Sequence, residues 1–216
     1  MSLFQRIRQA IVVGGMESFG TALGGIAGLL IVNFLPKEQY AAYTFLLACM
    51  ALMSGIGELG LSHCVLPVVG RRAGEPRWVV GVCHEIFRWR WILLAFGMVI
   101  VVPYWLNASV KHGWLSPEYL AASAAAVVVA LLTLRASYSY AILMLLRHIS
   151  ALNRASLAMH CSRFALVALV LLAPLDAWAS MGLLLATAAS QAVDIWLQQR
   201  AVKANGIAAW RLDAQG

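Results

Sequence analysis

YLAASAAAVVVALLTLRASYSYAILMLL, residues 119–146, carries one formal charge, Arg135, among apolar, small and hydroxyl residues. About 20 apolar residues, rising 1.5 Å each, cross the roughly 30 Å of hydrocarbon in a bilayer. The run exceeds that length and lacks the alternation of a strand, so it predicts a membrane-spanning helix.

Working outward, residues 11–35, 41–66, 88–106, 157–175 and 179–197 read the same way. The chain is 62% hydrophobic and 12% charged, against roughly 45–50% and about 25% in soluble domains. Only short connections remain between the spans. The expected fold is therefore an all-α integral membrane protein, one six-span domain covering residues 1–216. Arg6 and Arg8 precede the first run as in a secretory signal, but the run continues to Leu35. That is well past the 7–15 residues, roughly, of a signal core, so it reads as an uncleaved first span.

The net charge of +7 is explained by where the cations sit. Arg6 and Arg8 precede span 1; Arg71, Arg72 and Arg77 lie between spans 2 and 3, with Arg88 and Arg90 at the edge. Arg147 and Arg154 follow span 4, and Arg200, Lys203 and Arg211 follow span 6. The alternate connections carry only Lys37 and Lys111. This is the positive-inside pattern of a chain with both termini in the cytoplasm, and it argues against nucleic acid as a partner. Cys49, Cys64, Cys83 and Cys161 show no CxxC spacing, so they read as small buried thiols rather than a disulfide or metal framework.

No HExxH, GxSxG or phosphate-cradling loop occurs, and no carboxylates stand at metal-binding spacing, so neither an enzyme nor a cofactor is expected. Gly20, Gly24 and Gly28 form a small-residue row on span 1 suited to close helix packing. Gly182, Ala186 and Ser190 repeat it more weakly on span 6.

The ionisable residues inside spans are the functional candidates, because one charge at mid-bilayer costs about 2.5–3.5 kcal/mol on insertion scales. Arg135 lies halfway along span 4, too deep to snorkel. It needs either an ion-pair partner or an anionic substrate, which a guanidinium can grip with a bidentate fork. Glu17 and Glu58 fall in the cytoplasmic third of spans 1 and 2. They could couple transport to a proton gradient, or pair with Arg163 at similar depth in span 5. Glu58 shares a polar face with Ser54 and Ser62, four residues away on either side. Asp194 stands near the inner end of span 6, where Arg200 and Lys203 offer an interfacial ion pair.

Two local motifs then carry a resemblance. Spans 1 and 2 join through Pro36-Lys37-Glu38-Gln39-Tyr40-Ala41-Ala42-Tyr43, and span 2 ends in Glu58-Leu59-Gly60-Leu61 before the basic connection Arg71 to Arg77. From Ile11 to about Tyr104 the chain resembles the start of the polysaccharide (O-antigen type) flippases of the multidrug/oligosaccharidyl-lipid/polysaccharide exporter superfamily. It departs from them at Asn33, where a basic residue is common, and at Ala41, where glycine is common.

The resemblance implies one lobe of a two-lobe transporter in a bacterial inner membrane. Such a protein would move a lipid-linked oligosaccharide on an isoprenoid diphosphate between leaflets by alternating access. Arg135 and Arg163 would be the cavity cations for the diphosphate, and Glu17 and Glu58 the coupling or gating carboxylates. Membrane lipid and a second lobe or homodimer would be its partners. A truncated or orphan lobe with a scaffold role, and a multidrug exporter of the same superfamily, are the alternative expectations.

Overall fold

Proline and glycine set most helix boundaries, in an order that matches the six expected spans with one exception. The structure, a computed structural model, describes residues 3–72 and 74–206, with side chains from Gly14 onward except those of Glu17, Ser62, His63, Arg71 and Asp176. The helices are α1 (Leu3–Phe34), α2 (Lys37–Glu58), α3 (Leu61–Val69), α4 (Pro76–His112), α5 (Pro117–Leu145), α6 (Ile149–Leu172) and α7 (Ala179–Ala204). No strand occurs among the described residues. Six of these helices are long and apolar enough to cross a membrane; α3 is too short.

Pro36 stands just before α2, and Pro76 and Pro117 open α4 and α5, where a missing N–H costs nothing. Gly113 ends α4 at φ 72°, and the Trp114 amide donates back to the Ser109 carbonyl at 2.8 Å. Arg147 takes the same left-handed position after α5, at φ 62°, with the His148 amide donating to the Leu143 carbonyl.

The exception is span 2. Residues 41–66 were expected to be one helix, yet Leu59 at φ 34° and Gly60 at φ 77° break it into α2 and α3. The polar face of Ser54, Glu58 and Ser62 is therefore not continuous. Residues 77–90 belong to α4, and Val79, Val80, Val82 and Cys83 among them are buried.

The helices adjoin in the spatial order α1, α6, α7, α5, α2, α4, α3, with α5 central and also touching α4 and α6. One core cluster joins Leu46, Met53, Leu94, Ala126, Leu134, Leu183 and Leu184 across α2, α4, α5 and α7. A second joins Val65, Val69, Val79, Cys83, Tyr138 and Ile142 around α3, α4 and α5. The exterior is apolar: Leu172 is 84% exposed and Val99 70%, a surface suited to hydrocarbon. Cys49 and Cys83 are buried as expected, whereas Cys64 and Cys161 lie on the bundle exterior.

Close helix approach depends on glycines other than most of the predicted row. A Cβ on Gly97 would stand 3.2 Å from Ile56, and one on Gly57 3.5 Å from Leu94, so α2 and α4 interlock there. Gly20 meets the His160 ring, but Gly24 and Gly28 have nothing within 4 Å of a built Cβ. This chain therefore packs on the first glycine of the row and leaves the other two open. On α7, by contrast, Ala186 and Ser190 are buried and Gly182 adjoins Val170.

Outside the spans, Arg72 donates to both carboxylate oxygens of Glu75 and lies 4.7 Å over the Trp78 ring. Those hydrogen bonds hold the Glu75 carboxyl below the usual carboxylate range.

Across the central α5–α7 seam, Gln191 Nε2 donates to Thr133 Oγ1 at 2.8 Å, while Thr133 also bonds the Val129 carbonyl. Interhelical hydrogen bonds in membrane bundles average about 0.6 kcal/mol and reach about 1.7 kcal/mol. A double-mutant cycle of Thr133→Val and Gln191→Leu, read by reversible unfolding in mixed detergent, should return a coupling energy in that range. A coupling indistinguishable from zero would mean that the pair does not hold α5 to α7.

Candidate functional site

A half-open cavity of about 500 Å³ lies where span 2 breaks, enclosed by α2, α3, α4 and α5. Its walls are mostly apolar, with Val65, Leu66, Ile86, Phe87 and Met144 among them, and its charged residues are Glu58 and Arg90. The two are close enough for the carboxylate to act on the guanidinium, yet no ion pair within 4 Å joins them among the described residues. Arg90 Nη1 instead donates to Ser137 Oγ at 2.8 Å, and Ser137 donates in turn to the Leu134 carbonyl. Arg90 Nε is buried and makes no hydrogen bond. The guanidinium is thus anchored at Nη1 in a mostly apolar cavity wall, and an amphipathic anion fits that combination of cation and apolar lining.

The break explains why the cavity can exist. Irregular backbone at membrane depth is tolerated where it is buried in protein or lines a cavity, and discontinuous helices often build transporter sites. Leu59 contributes little to the core, being 66% exposed, and its amide still reaches the Gly55 carbonyl. The last carbonyls of α2 add partial negative charge beside Glu58, facing the cation of Arg90.

The predicted cavity cations stand elsewhere. The Arg135 guanidinium lies 5.2 Å from the Tyr138 ring centroid and 5.9 Å from that of Phe87. Both rings line the cavity, so Arg135 sits behind its wall, held by aromatic faces rather than by a carboxylate. Cation–π contacts of this kind contribute about 0.5–2 kcal/mol. Neither the expected ion pair nor direct access to the cavity is present for Arg135 among the described residues.

Arg163 on α6 faces the Tyr43 hydroxyl of α2, with its Nε buried and unbonded. Tyr43 and Glu58 are fifteen residues apart on one helix, about 22 Å at 1.5 Å per residue. The pairing of Glu58 with Arg163 is therefore excluded by geometry; Glu58 faces Arg90. Glu17 belongs to α1, which packs on α6 rather than on α2. Its side chain lies outside the described residues.

Asp194 also departs from expectation. It is 8% exposed, and its Oδ2 accepts a hydrogen bond from Gln198 Nε2 at 2.9 Å, while Arg200 and Lys203 are exposed. The helix runs on to Ala204, and Asp194 is buried within the bundle.

Arg90 is the residue that sequence reasoning missed, because Arg88 and Trp89 beside it suggest an interface. The signal was present: Cys83, Arg90 and Gly97 recur every seven residues, with Phe87, Leu94 and Val101 on the same face. No cluster of three potential metal ligands occurs among the described residues.

Gly60 holds a backbone conformation that costs other residues about 1–2 kcal/mol. Gly60→Ala should lower thermal stability in detergent by that amount. Gly55→Ala, with open space around a built Cβ, should not lower it. Equal stability of Gly60→Ala and wild type would argue against the break.

Comparisons with protein-family models, with curated proteins and with solved structures find no match for the chain.

Proposed function

We propose that the chain is a membrane transporter-like protein of the polysaccharide flippase type, with the Arg90–Glu58 cavity as its headgroup site. The substrate in this reading is an oligosaccharide on an isoprenoid diphosphate, moved across a bacterial inner membrane by alternating access. The observation that carries the reading is an anchored guanidinium lining a mostly apolar, half-open cavity. An isoprenoid diphosphate has the matching halves, an anion and a hydrocarbon chain. A guanidinium suits phosphate better than an ammonium does, because its planar fork meets two oxygens together.

Glu58 takes the gating role. It and the α2 carbonyls attract Arg90 when no anion is present, and a diphosphate competes for the same cation. Movement at Leu59–Gly60 then changes the separation of Glu58 from Arg90 without unravelling either helix. Arg135 supports the site indirectly, by holding Phe87 and Tyr138 in the cavity wall. Arg163 and Tyr43 have no part in headgroup binding in this reading. A second lobe completes the pathway in this reading, as paired repeats do around a midplane site in other transporters.

The test is transbilayer movement of a fluorescent isoprenoid-diphosphate-linked oligosaccharide in proteoliposomes. Arg90→Ala should abolish it, Arg90→Lys should retain a small fraction, and Arg154→Ala, on the exposed face of α6, should leave it intact. Full movement by Arg90→Ala would overturn the reading. Movement of amphipathic cations that depends on Glu58 but not on Arg90 would favour a multidrug exporter instead.

A further inference from the structure

Away from the cavity, α7 carries two buried acceptors with nothing to accept. Asp194 is 8% exposed and Gln198 3%, one helical turn apart. Gln198 Nε2 donates to Asp194 Oδ2 at 2.9 Å, yet Asp194 Oδ1 and Gln198 Oε1 are both buried without a hydrogen bond. Leaving buried polar atoms unsatisfied costs about 1–3 kcal/mol each, more for a charged group. An ionised carboxylate here would add its own desolvation penalty.

Among the described residues, no cation forms an ion pair within 4 Å of the Asp194 carboxylate. From α6, His160 is the titratable group close enough to act on Asp194, and its ring is wedged against Gly20 of α1. On α5, Thr133 is engaged with Gln191, and Arg135 lies over the Phe87 and Tyr138 rings. From α2, Glu58 lines the cavity. The turn Asp176–Trp178 packs at the far end of α7, and Arg200 and Lys203 on α7 itself are exposed.

We propose that Asp194 and Gln198 form a proton-binding site in which the carboxyl is held as a neutral acid, joined to the carboxamide in a cyclic pair. Gln198 Nε2–H donates to Asp194 Oδ2, and Asp194 Oδ1–H donates to Gln198 Oε1. A single proton from bulk water satisfies both orphan acceptors at once; its release leaves a carboxylate and breaks one hydrogen bond. The proton is thereby linked to the α6–α7 seam, where losing it places a negative charge opposite His160. The site is independent of the Arg90 cavity and does not require that cavity to bind an anion.

Infrared difference spectroscopy of the purified chain in lipid tests the proposal. At neutral pH, wild type should show the C=O stretch of a protonated carboxylic acid that disappears in Asp194→Asn and shifts in Gln198→Leu. Asp194→Asn should keep wild-type thermal stability, because asparagine can form the same ring with Gln198. An Asp194 carboxylate band at neutral pH would overturn the proposal. So would loss of the acid band when sodium replaces potassium at constant pH, which would identify a cation site instead. If Asp194→Asn does not fold, the band in wild type and its shift in Gln198→Leu decide the matter alone.

Discussion

Everything distinctive in this bundle depends on the break at Leu59–Gly60. In hydrocarbon no water is present to satisfy a freed backbone group, so a span can depart from helical geometry only where protein or a cavity receives it. Here α3 packs back on α4, closing a second core around Val65, Val69 and Val79. The cavity occupies the remaining space beside Glu58. Had the helix continued, Glu58 would have kept one polar face with Ser54 and Ser62. The break instead sets the carboxylate at a helix end, opposite Arg90.

The charged residues inside the spans reach three different accommodations. Arg135 is spread over two aromatic faces, a solution that needs no anion and leaves the guanidinium out of the cavity. Arg90 is tied to Ser137 and lines the cavity, which makes it the guanidinium placed to meet a ligand there. Asp194 is joined to Gln198 on its own helix. Depth alone does not distinguish these outcomes. What separates them is which neighbour each side chain meets, and α5 decides much of that by standing between the α2–α4 pair and the α6–α7 pair.

The six long apolar helices were legible, because run length and composition suffice to find them. Residues 119–146 became Pro117–Leu145, and 179–197 became Ala179–Ala204. The break in span 2 was not legible, since Gly55, Gly57 and Gly60 all lie in the same apolar run and a glycine acts as a break only where the backbone turns left-handed. Arg90 was hidden by its neighbours, although its spacing from Cys83 and Gly97 placed it on the buried face. Asp194 was judged by sequence distance to Arg200 and Lys203, but a helix carries residues six and nine positions on well past the carboxylate. The glycine row of span 1 advertised packing, yet the glycines that bring α2 and α4 together are Gly57 and Gly97.

The central claim is that Arg90, and not Arg135, meets the anion. Native mass spectrometry of the chain titrated with an isoprenoid diphosphate measures this directly, with the corresponding isoprenoid alcohol as the uncharged control. A charge-assisted hydrogen bond contributes about 1.5–3 kcal/mol, so Arg90→Ala should weaken diphosphate binding roughly 10–100-fold. Arg135→Ala should bind within a few-fold of wild type, and the alcohol should bind all three chains alike. Unchanged diphosphate affinity in Arg90→Ala, or its loss in Arg135→Ala alone, would contradict the account.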